Sequence, residues 1–448
     1  MMRSMWSGVA GLKTHQMEMD VIGNNIANVN TTSYKAQATG FQDILYQTVK
    51  SGTGAGDTVG STNISQVGLG SKVGSIYTNI AAQGSAVTTD NVMDLMITGP
   101  SFFVISPDIS GAEQNFSRDG SFGIDANGDL VTKANGYYVL GTMGEGGVPD
   151  GAAVQRLHII NRVPVTNPDG TTRQADIMPG QATSQSYFKG NIDEFDPSLE
   201  EGKGLNLEVY GSDGKKYTIK FALTDGADDA NDTYSLNLTS VLNENGDSVL
   251  SPADDVKIPL VYSKSDGKLV SAAENTAGTY TLNLTGEASA VSGLNIDFTH
   301  TTNYAGSSAS HSSSIYGYRG DDKGLNQGYP NGELTNISFG TDGSIYGRYS
   351  NGQTIKKGQI AVAEFNNAMG LEKVGDNLYA ASLNSGAAQI MDITKDGGYM
   401  NSGVLEGSNV DLAKEFTDMI TTQRGFQANS KVITTSDEML QILRGLKS

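Results

Sequence analysis

Residues 405–446 read LEGSNVDLAKEFTDMITTQRGFQANSKVITTSDEMLQILRGL. Leu412, Phe416, Met419, Phe426, Ile433, Leu440 and Leu443 are spaced by threes, fours and sevens. That spacing draws one apolar stripe along a helix. Polar Gln423, Ser430 and Asp437 interrupt it at intermediate turns, so the seam is not an all-leucine zipper. Ser408, three residues ahead of Asp411, supplies an N-cap and capping-box start. Roughly 38 residues at 1.5 Å each predict a rod of about 57 Å. Such a stripe must be buried against something.

A second long helix is expected at the other end, over residues 3 to about 29. Met5, Val9, Leu12, Met19, Ile22, Ile26 and Val29 follow a heptad-like spacing, with Gln16 in the one missing slot. Gly8, Gly11 and Gly23 weaken this helix, each by about 1 kcal/mol relative to Ala at an exposed position. A helix of that kind needs a partner. By periodicity alone the two stripes could pair within one monomer or pack between copies.

Composition narrows the rest. The chain has 448 residues, enough for two or three domains. Its 56 glycines, with only 10 prolines and one tryptophan, suggest short strands joined by tight turns. The formal charge of −19 offers no basic surface to release counterions from nucleic acid. No cysteine is present, which excludes disulfides, thiolate catalysis and cysteine-ligated metal. No run approaches 18 apolar residues, so no membrane insertion is expected. The N-terminal stretch has one basic residue before a short apolar patch that His15, Gln16, Glu18 and Asp20 break, and it does not read as a cleavable secretory signal.

Between the terminal helices the pattern is β. Residues 36–71 are rich in Gly, Ser and Thr, and 50–70 read as a loop or extended linker. Residues 94–105 predict two short strands around Gly99-Pro100, and 116–131 a hairpin turning at Ala126-Asn127-Gly128. Residues 149–329 differ in character: between 190 and 257 there are 15 Asp or Glu against 5 Lys or Arg. Strand-like runs recur there at 205–210, 217–223, 234–238, 258–262, 280–284 and 294–298, with turns such as Ser212-Asp213-Gly214 and Ser265-Asp266-Gly267. This predicts an acidic all-β insertion. Residues 330–403 return to the earlier character, with strands over 337–347 and 360–365, so the two flanking β segments are expected to fold together around the insertion.

Catalytic chemistry finds no footing. His15, His158, His300 and His311 form no metal-binding motif, although His300 and His311 could meet in space. Asp125, Asn127 and Asp129 resemble a calcium loop, but Gly falls at the fourth position and Gly136 stands at the twelfth, so a hairpin turn is the better reading. No phosphate loop and no nucleophile elbow occurs. No catalytic, cofactor-binding or metal-binding residue is assigned, and no cofactor is expected.

Two signatures carry a resemblance. Asn24-Asn25-Ile26-Ala27-Asn28-Val29-Asn30-Thr31-Thr32-Ser33-Tyr34-Lys35 resembles the N-terminal signature of the bacterial flagellar rod and hook family, which commonly has Gly where this chain has Ser33. Ser408-Asn409-Val410-Asp411-Leu412, Glu415-Phe416, Met419-Ile420, Gln423-Arg424, Ala428-Asn429 and 435–438 resemble the C-terminal signature of the same family. The segments 94–105 and 116–131 are also similar to the family's inner β-domain.

The resemblance implies a mainly β, nested axial protein with long terminal α-helices. Its implied parts are a core helix over 1–35, a linker packing on neighbours over 36–71, an inner β-domain over 72–148 and 330–403, an outer acidic β-domain over 149–329, and a second core helix over 404–448. Both apolar stripes would then serve as assembly interface. Distal rod subunits of the family are usually shorter and lack a large insertion, so a hook subunit is implied ahead of a distal rod subunit; a secreted β-rich adhesin or glycan-active protein is the alternative of another class. The implied partners are further copies of the chain in a helical homopolymer, distal rod, hook cap and hook–filament junction proteins, and the flagellar export apparatus. The implied location is the extracellular hook and basal body, reached without a cleavable signal peptide.

Overall fold

A computed structural model describes residues 2–54, 60–149, 151, 153–166, 170–226, 232–251, 254–273, 275–306 and 311–445. They fall into two compact units: Met1–Ile160, Ile337–Gly347 and Ile355–Ser448 form the first, and Asn161–Asn336 with Arg348–Thr354 the second. The protein is mainly β, with a long helix at each end.

In the first unit, helices Met2–Ala27 and Leu412–Gly445 pair antiparallel. Ser4 meets Ser436 (Oγ to Oγ, 3.4 Å) at one end, and Asn25 donates to Glu415 (3.1 Å) at the other. The C-terminal helix starts at Leu412, where its stripe begins, and later than a Ser408 cap would place it. Asp411, not Ser408, caps it, accepting from the amides of Ala413 (2.9 Å) and Lys414 (3.3 Å). Ser408 instead accepts from Val410 N–H at 3.3 Å, one turn too early to serve the helix.

The segment read as a linker is partly ordered as strands. Gln37–Asp43 pairs with Ser71–Thr78, and Tyr46–Lys50 with Ser65–Gly68, both antiparallel. Residues 55–59 lie outside the described residues. Gly, Ser and Thr hid this ribbon because pairing satisfies its backbone while most of its side chains stay exposed.

The β body of this unit draws on both sides of the sequence. Leu95–Thr98 pairs with Tyr399–Ser402, Ala86–Thr88 with Val404–Glu406, and Phe102–Ser106 with both Asn115–Ser117 and Val362–Glu364. Phe102, Val104, Phe116, Leu140, Ala363 and Phe365 close a core over these ladders. The 116–131 hairpin forms between Phe122–Ile124 and Leu130–Thr132. Asp125 accepts from the amides of Asn127 and Asp129 (2.9 and 2.8 Å), while Gly128 at φ +96° turns the chain.

The second unit packs two sheets. Lys203–Tyr210, Lys216–Gly226, Asp232–Leu242, Lys257–Tyr262 and Leu269–Ala272 form a five-stranded antiparallel meander in sequence order. Alternation dictates it: in Lys203–Tyr210, Leu205, Leu207 and Val209 point inward and their neighbours outward. The other sheet runs Thr279–Leu282, Leu294–Asn303, Gln185–Ile192, Tyr316–Arg319, and its central pair is parallel. Phe188, Phe221, Leu236, Leu260, Ile296 and Phe298 fill the space between them. Gly214 and Gly267 take φ of +74° and +61° at the expected Asp-Gly turns. His300 lies against Tyr187 and Asp297, and His311 against Asp193 and Phe195, so the two share no partner among the described residues.

Candidate assembly site

The two terminal helices approach through small residues. A Cβ on Gly8 would lie 3.2 Å from Ile433 Cγ1, and one on Gly11 2.7 Å from Asn429 Nδ2. On the opposite helix, a Cβ on Gly425 would lie 2.7 Å from His15 Nε2. Gly8 and Gly11, which cost helix propensity, are what lets the backbones come this close. The buried residues of the C-terminal helix are Glu415, Thr422 and Ser436. With half-buried Asn429 they form a polar heptad line, 415, 422, 429, 436, facing its partner.

The apolar stripe therefore divides. Met419, Phe426, Ile433 and Leu440 are half-buried on the flank of that polar line. Leu412 and Phe416 point away, 39% and 50% exposed, and Ile420 with them at 59%, while Leu443, one heptad past Ser436, is 47% exposed. Val432, Met439 and Ile442 are exposed on the other flank of the polar line. On the N-terminal helix only Ile22 of the expected stripe is buried. Met5, Leu12, Met19 and Ile26 are half-buried, as is Val29 just beyond the helix, and Val9 is exposed. Thr14, Val21 and Asn25 are buried in place of the missing members.

Below the helix pair, the signature residues knit into a buried polar root. Asn25 donates to Gln37 O (2.8 Å) and Glu415 Oε1 (3.1 Å), and accepts from Gln37 N–H (2.9 Å) and the Tyr34 hydroxyl (3.2 Å). Asn409 accepts from Ala36 N–H at 2.7 Å and donates to Asn79 O and Ala82 O. Lys35, fully buried, donates to Ala82 O (2.7 Å) and to Glu406 (2.6 Å), whose same oxygen accepts from Gly84 N–H at 2.9 Å. Arg118, also buried, lies over the Phe102 ring with its guanidinium 3.9 Å from Glu406. Ser33 holds φ +56°, donating from its amide to Glu406 O and from its hydroxyl to Arg118 O, both at 2.8 Å. Those two bonds compensate for placing a side chain in a conformation that suits Gly.

Burial shapes the electrostatics here. It pulls the Lys35 ammonium below the ordinary lysine range, with Glu406 opposing the shift. It pushes the Tyr34 hydroxyl up, aided by Glu415. Glu415 itself is raised by burial, against the Asn25 hydrogen bond that favours its charged form. Lys373 sits 4.7 Å above the Tyr34 ring and donates to Lys35 O at 3.1 Å, sealing the outside of the root.

The remaining signature residues play local parts. Asn28 donates to Asn24 O (2.9 Å) and accepts from Thr31 (3.1 Å), closing the turn after the N-terminal helix. Ala27, Asn30, Gln423 and Arg424 are exposed, and Val410 is half-buried. Glu406 and Arg118 went unnoticed in the sequence. The available signal was Lys35 inside a signature of otherwise uncharged residues, since a lysine buried there needs an acid. Among the described residues, no helix is long and apolar enough to cross a membrane.

The class these features define is the flagellar axial subunit. Residues 5–35 match the family model described as flagella basal body rod protein, 96–176 the flagellar hook protein FlgE/F/G D1 domain, and 401–446 the flagellar basal body rod FlgEFG protein C-terminal. The chain is 35% identical to the flagellar hook protein FlgE of Treponema pallidum and 34% identical to that of Borreliella burgdorferi, over 100% of both chains in each case. It is 28% identical to the flagellar basal-body rod protein FlgG of Bacillus subtilis, again over 100% of each chain. The chain belongs to the flagellar hook protein family and is a structural subunit of the hook.

Proposed function

We propose that copies of this chain assemble head to tail into a curved, flexible tube that joins rod to filament and passes torque through bends. The carrying observation is exposed apolar surface on the C-terminal helix: Leu412, Phe416 and Ile420 on one flank of its polar line, Val432, Met439 and Ile442 on the other, and Leu443 one heptad past Ser436 are all 39–64% exposed in a single copy. Exposed apolar surface on both flanks of one helix seeks partners. A contact between unlike surfaces of identical subunits does not close on itself, so it propagates a helix.

In this reading the paired terminal helices form the inner layer, the β body of residues 72–148 and 330–403 a stiff wall, and residues 149–329 an outer domain. The segment 36–71, whose strands Tyr46–Lys50 and Ser65–Gly68 are exposed, packs on neighbours. Outer contacts are remade as each subunit passes from the inside to the outside of a bend, which small and polar side chains favour. The role is structural rather than catalytic. Further partners are the distal rod, hook cap and hook–filament junction proteins, and the flagellar export apparatus delivers the chain to the outside. Electron microscopy of concentrated protein, intact and lacking residues 1–30 and 408–448, tests this. Tubes are expected only from the intact chain; a monomer under all conditions contradicts it.

A further inference from the structure

The ribbon of the first unit has edges that nothing in a single copy covers. Tyr46–Lys50 and Ser65–Gly68 make a two-stranded sheet of their own, and neither pairs with a further strand among the described residues. Backbone bonds carry the ladder past both strands, from Ile44 N–H to Gly70 O (2.9 Å) at the root to Thr53 N–H to Thr62 O (3.0 Å) farther out. From residue 44 to residue 53, at the usual strand rise, is about 30 Å. Every residue of both strands is exposed, and Leu45, Val49 and Ile64 stand 76%, 62% and 55% exposed. A two-stranded hairpin with no core beneath it is marginal in water, and a third strand is what stabilises it.

Soluble proteins guard such edges with charge, proline or bulges. Arg162–Thr166, a strand paired on one side only, is guarded in this way, carrying Arg162 and Pro164. The ribbon is not. Residues 44–53 and 62–70 hold no proline and a single charge, Lys50, which lies past a bulge between Thr48 and Lys50. The stretches 44–48 and 66–70 therefore present open edges.

We propose that each ribbon adds its Tyr46–Lys50 edge to the Ser65–Gly68 edge of the next copy, so that neighbouring subunits share a β-sheet. The pairing, which rests on the head-to-tail assembly proposed above, gives that assembly its contact at this segment. Two features select a second copy as the occupant. The chain carries a net charge of −19, so most faces of two copies repel, whereas residues 44–53 and 62–70 bring one lysine and no acid to the contact. Pairing of unlike edges also does not close on itself. Copies set in one orientation along a helix present Tyr46–Lys50 of one antiparallel to Ser65–Gly68 of the next, the sense in which the two strands already pair within a copy. The backbone supplies the bonds, so no side chain has to find a pocket.

Disulfide cross-linking of assembled protein tests this, since the chain has no cysteine of its own. One set of variants carries a single cysteine at 45, 46, 47 or 48, the other at 64, 65, 66 or 67, all exposed positions. Far-UV circular dichroism checks the fold of each. Equimolar mixtures across the two sets, for example Gln47→Cys with Val67→Cys, are assembled, sedimented and oxidised, with each variant assembled alone as the control. Paired strands hold opposite Cα atoms about 4.5–5.5 Å apart, within reach of a disulfide, whereas sheets stacked face to face lie about 10 Å apart, beyond it. No chain holds two cysteines, so every dimer on a non-reducing gel joins two copies. At least one mixture should give dimers severalfold above those of its two variants alone, in polymer and not in unassembled protein. Polymer that gives no such excess, or in which single variants cross-link as readily as mixtures, overturns the strand addition while head-to-tail assembly stands. Absence of any sedimenting polymer overturns both.

Discussion

Glu406→Gln attacks the buried root at the point where its charges balance. Lys35 and Glu406 have no exposed side-chain surface and lie 2.6 Å apart. The glutamine can still accept a hydrogen bond, but the ammonium loses its counter-charge, and Arg118, a second buried cation, lies beside it. Breaking a buried pair by removing one partner costs about 3–5 kcal/mol. That is a large share of the 5–15 kcal/mol typical of a whole domain. At about 2–4 °C per kcal/mol for a unit of this size, the first unit's melting point should fall by roughly 6–20 °C. Differential scanning calorimetry reads this directly, and the transition of the second unit, which contains neither residue, serves as the internal reference. The double variant Lys35→Met with Glu406→Leu should recover only part of the loss, because an apolar replacement removes both desolvation costs of the pair but leaves Arg118 buried without its acid. It should not recover all of it, since Gly84 N–H also donates to Glu406 and its orphaning costs about 1–3 kcal/mol. A loss below about 1 kcal/mol in the single variant, or a double variant as unstable as the sum of the singles, would refute the reasoning.

Three further outcomes are expected. Burial raises the Glu415 carboxyl above the ordinary glutamate range, so the folded state holds its proton more tightly than the unfolded chain does. That contribution is present at low pH and is lost as pH rises through the folded value. Glu415→Gln should therefore stabilise the helix pair at pH 7 and lose its advantage in acid, as melting curves at the two extremes would show. Gly11→Leu drives a side chain into Asn429 and should cost about 1–3 kcal/mol in helix pairing, seen as faster proteolysis of both termini with the β body intact. Deleting residues 150–328 should leave tube formation possible but change curvature under the electron microscope; complete loss of tubes would contradict the proposed division of labour.

Some of this fold is written locally and some is not. Both terminal helices follow from residue spacing, and so do the strands at 205–210, 217–223, 234–238 and 258–262, whose side chains alternate across a sheet. Which face of the C-terminal helix turns inward does not follow. Hydrophobic spacing pointed to Phe416 and Leu412, but a single copy buries Glu415, Thr422 and Ser436, because Gly8 and Gly11 bring the partner too close for large side chains. The root was half legible: Asn25, Tyr34, Lys35 and Asn409 stand in the signatures. Glu406 is 371 positions from the lysine it neutralises, and no local period reports a contact across that span. The parallel pairing of Gln185–Ile192 with Leu294–Asn303 was hidden for the same reason.

The central claim is that the outward face of the C-terminal helix is covered by neighbouring copies. Phe416 and Ile420 are 50% and 59% exposed, so Phe416→Ser with Ile420→Ser should leave the monomer's stability nearly unchanged. Full burial of such side chains is worth about 1.5–3 kcal/mol, so covering their exposed halves is worth about 2–3 kcal/mol for the two together. At 1.4 kcal/mol per factor of ten, the critical concentration for tube growth, measured by sedimentation of polymer against concentration, should rise about 30- to 150-fold. A folded double variant that assembles at the concentration of the unaltered chain would contradict the account.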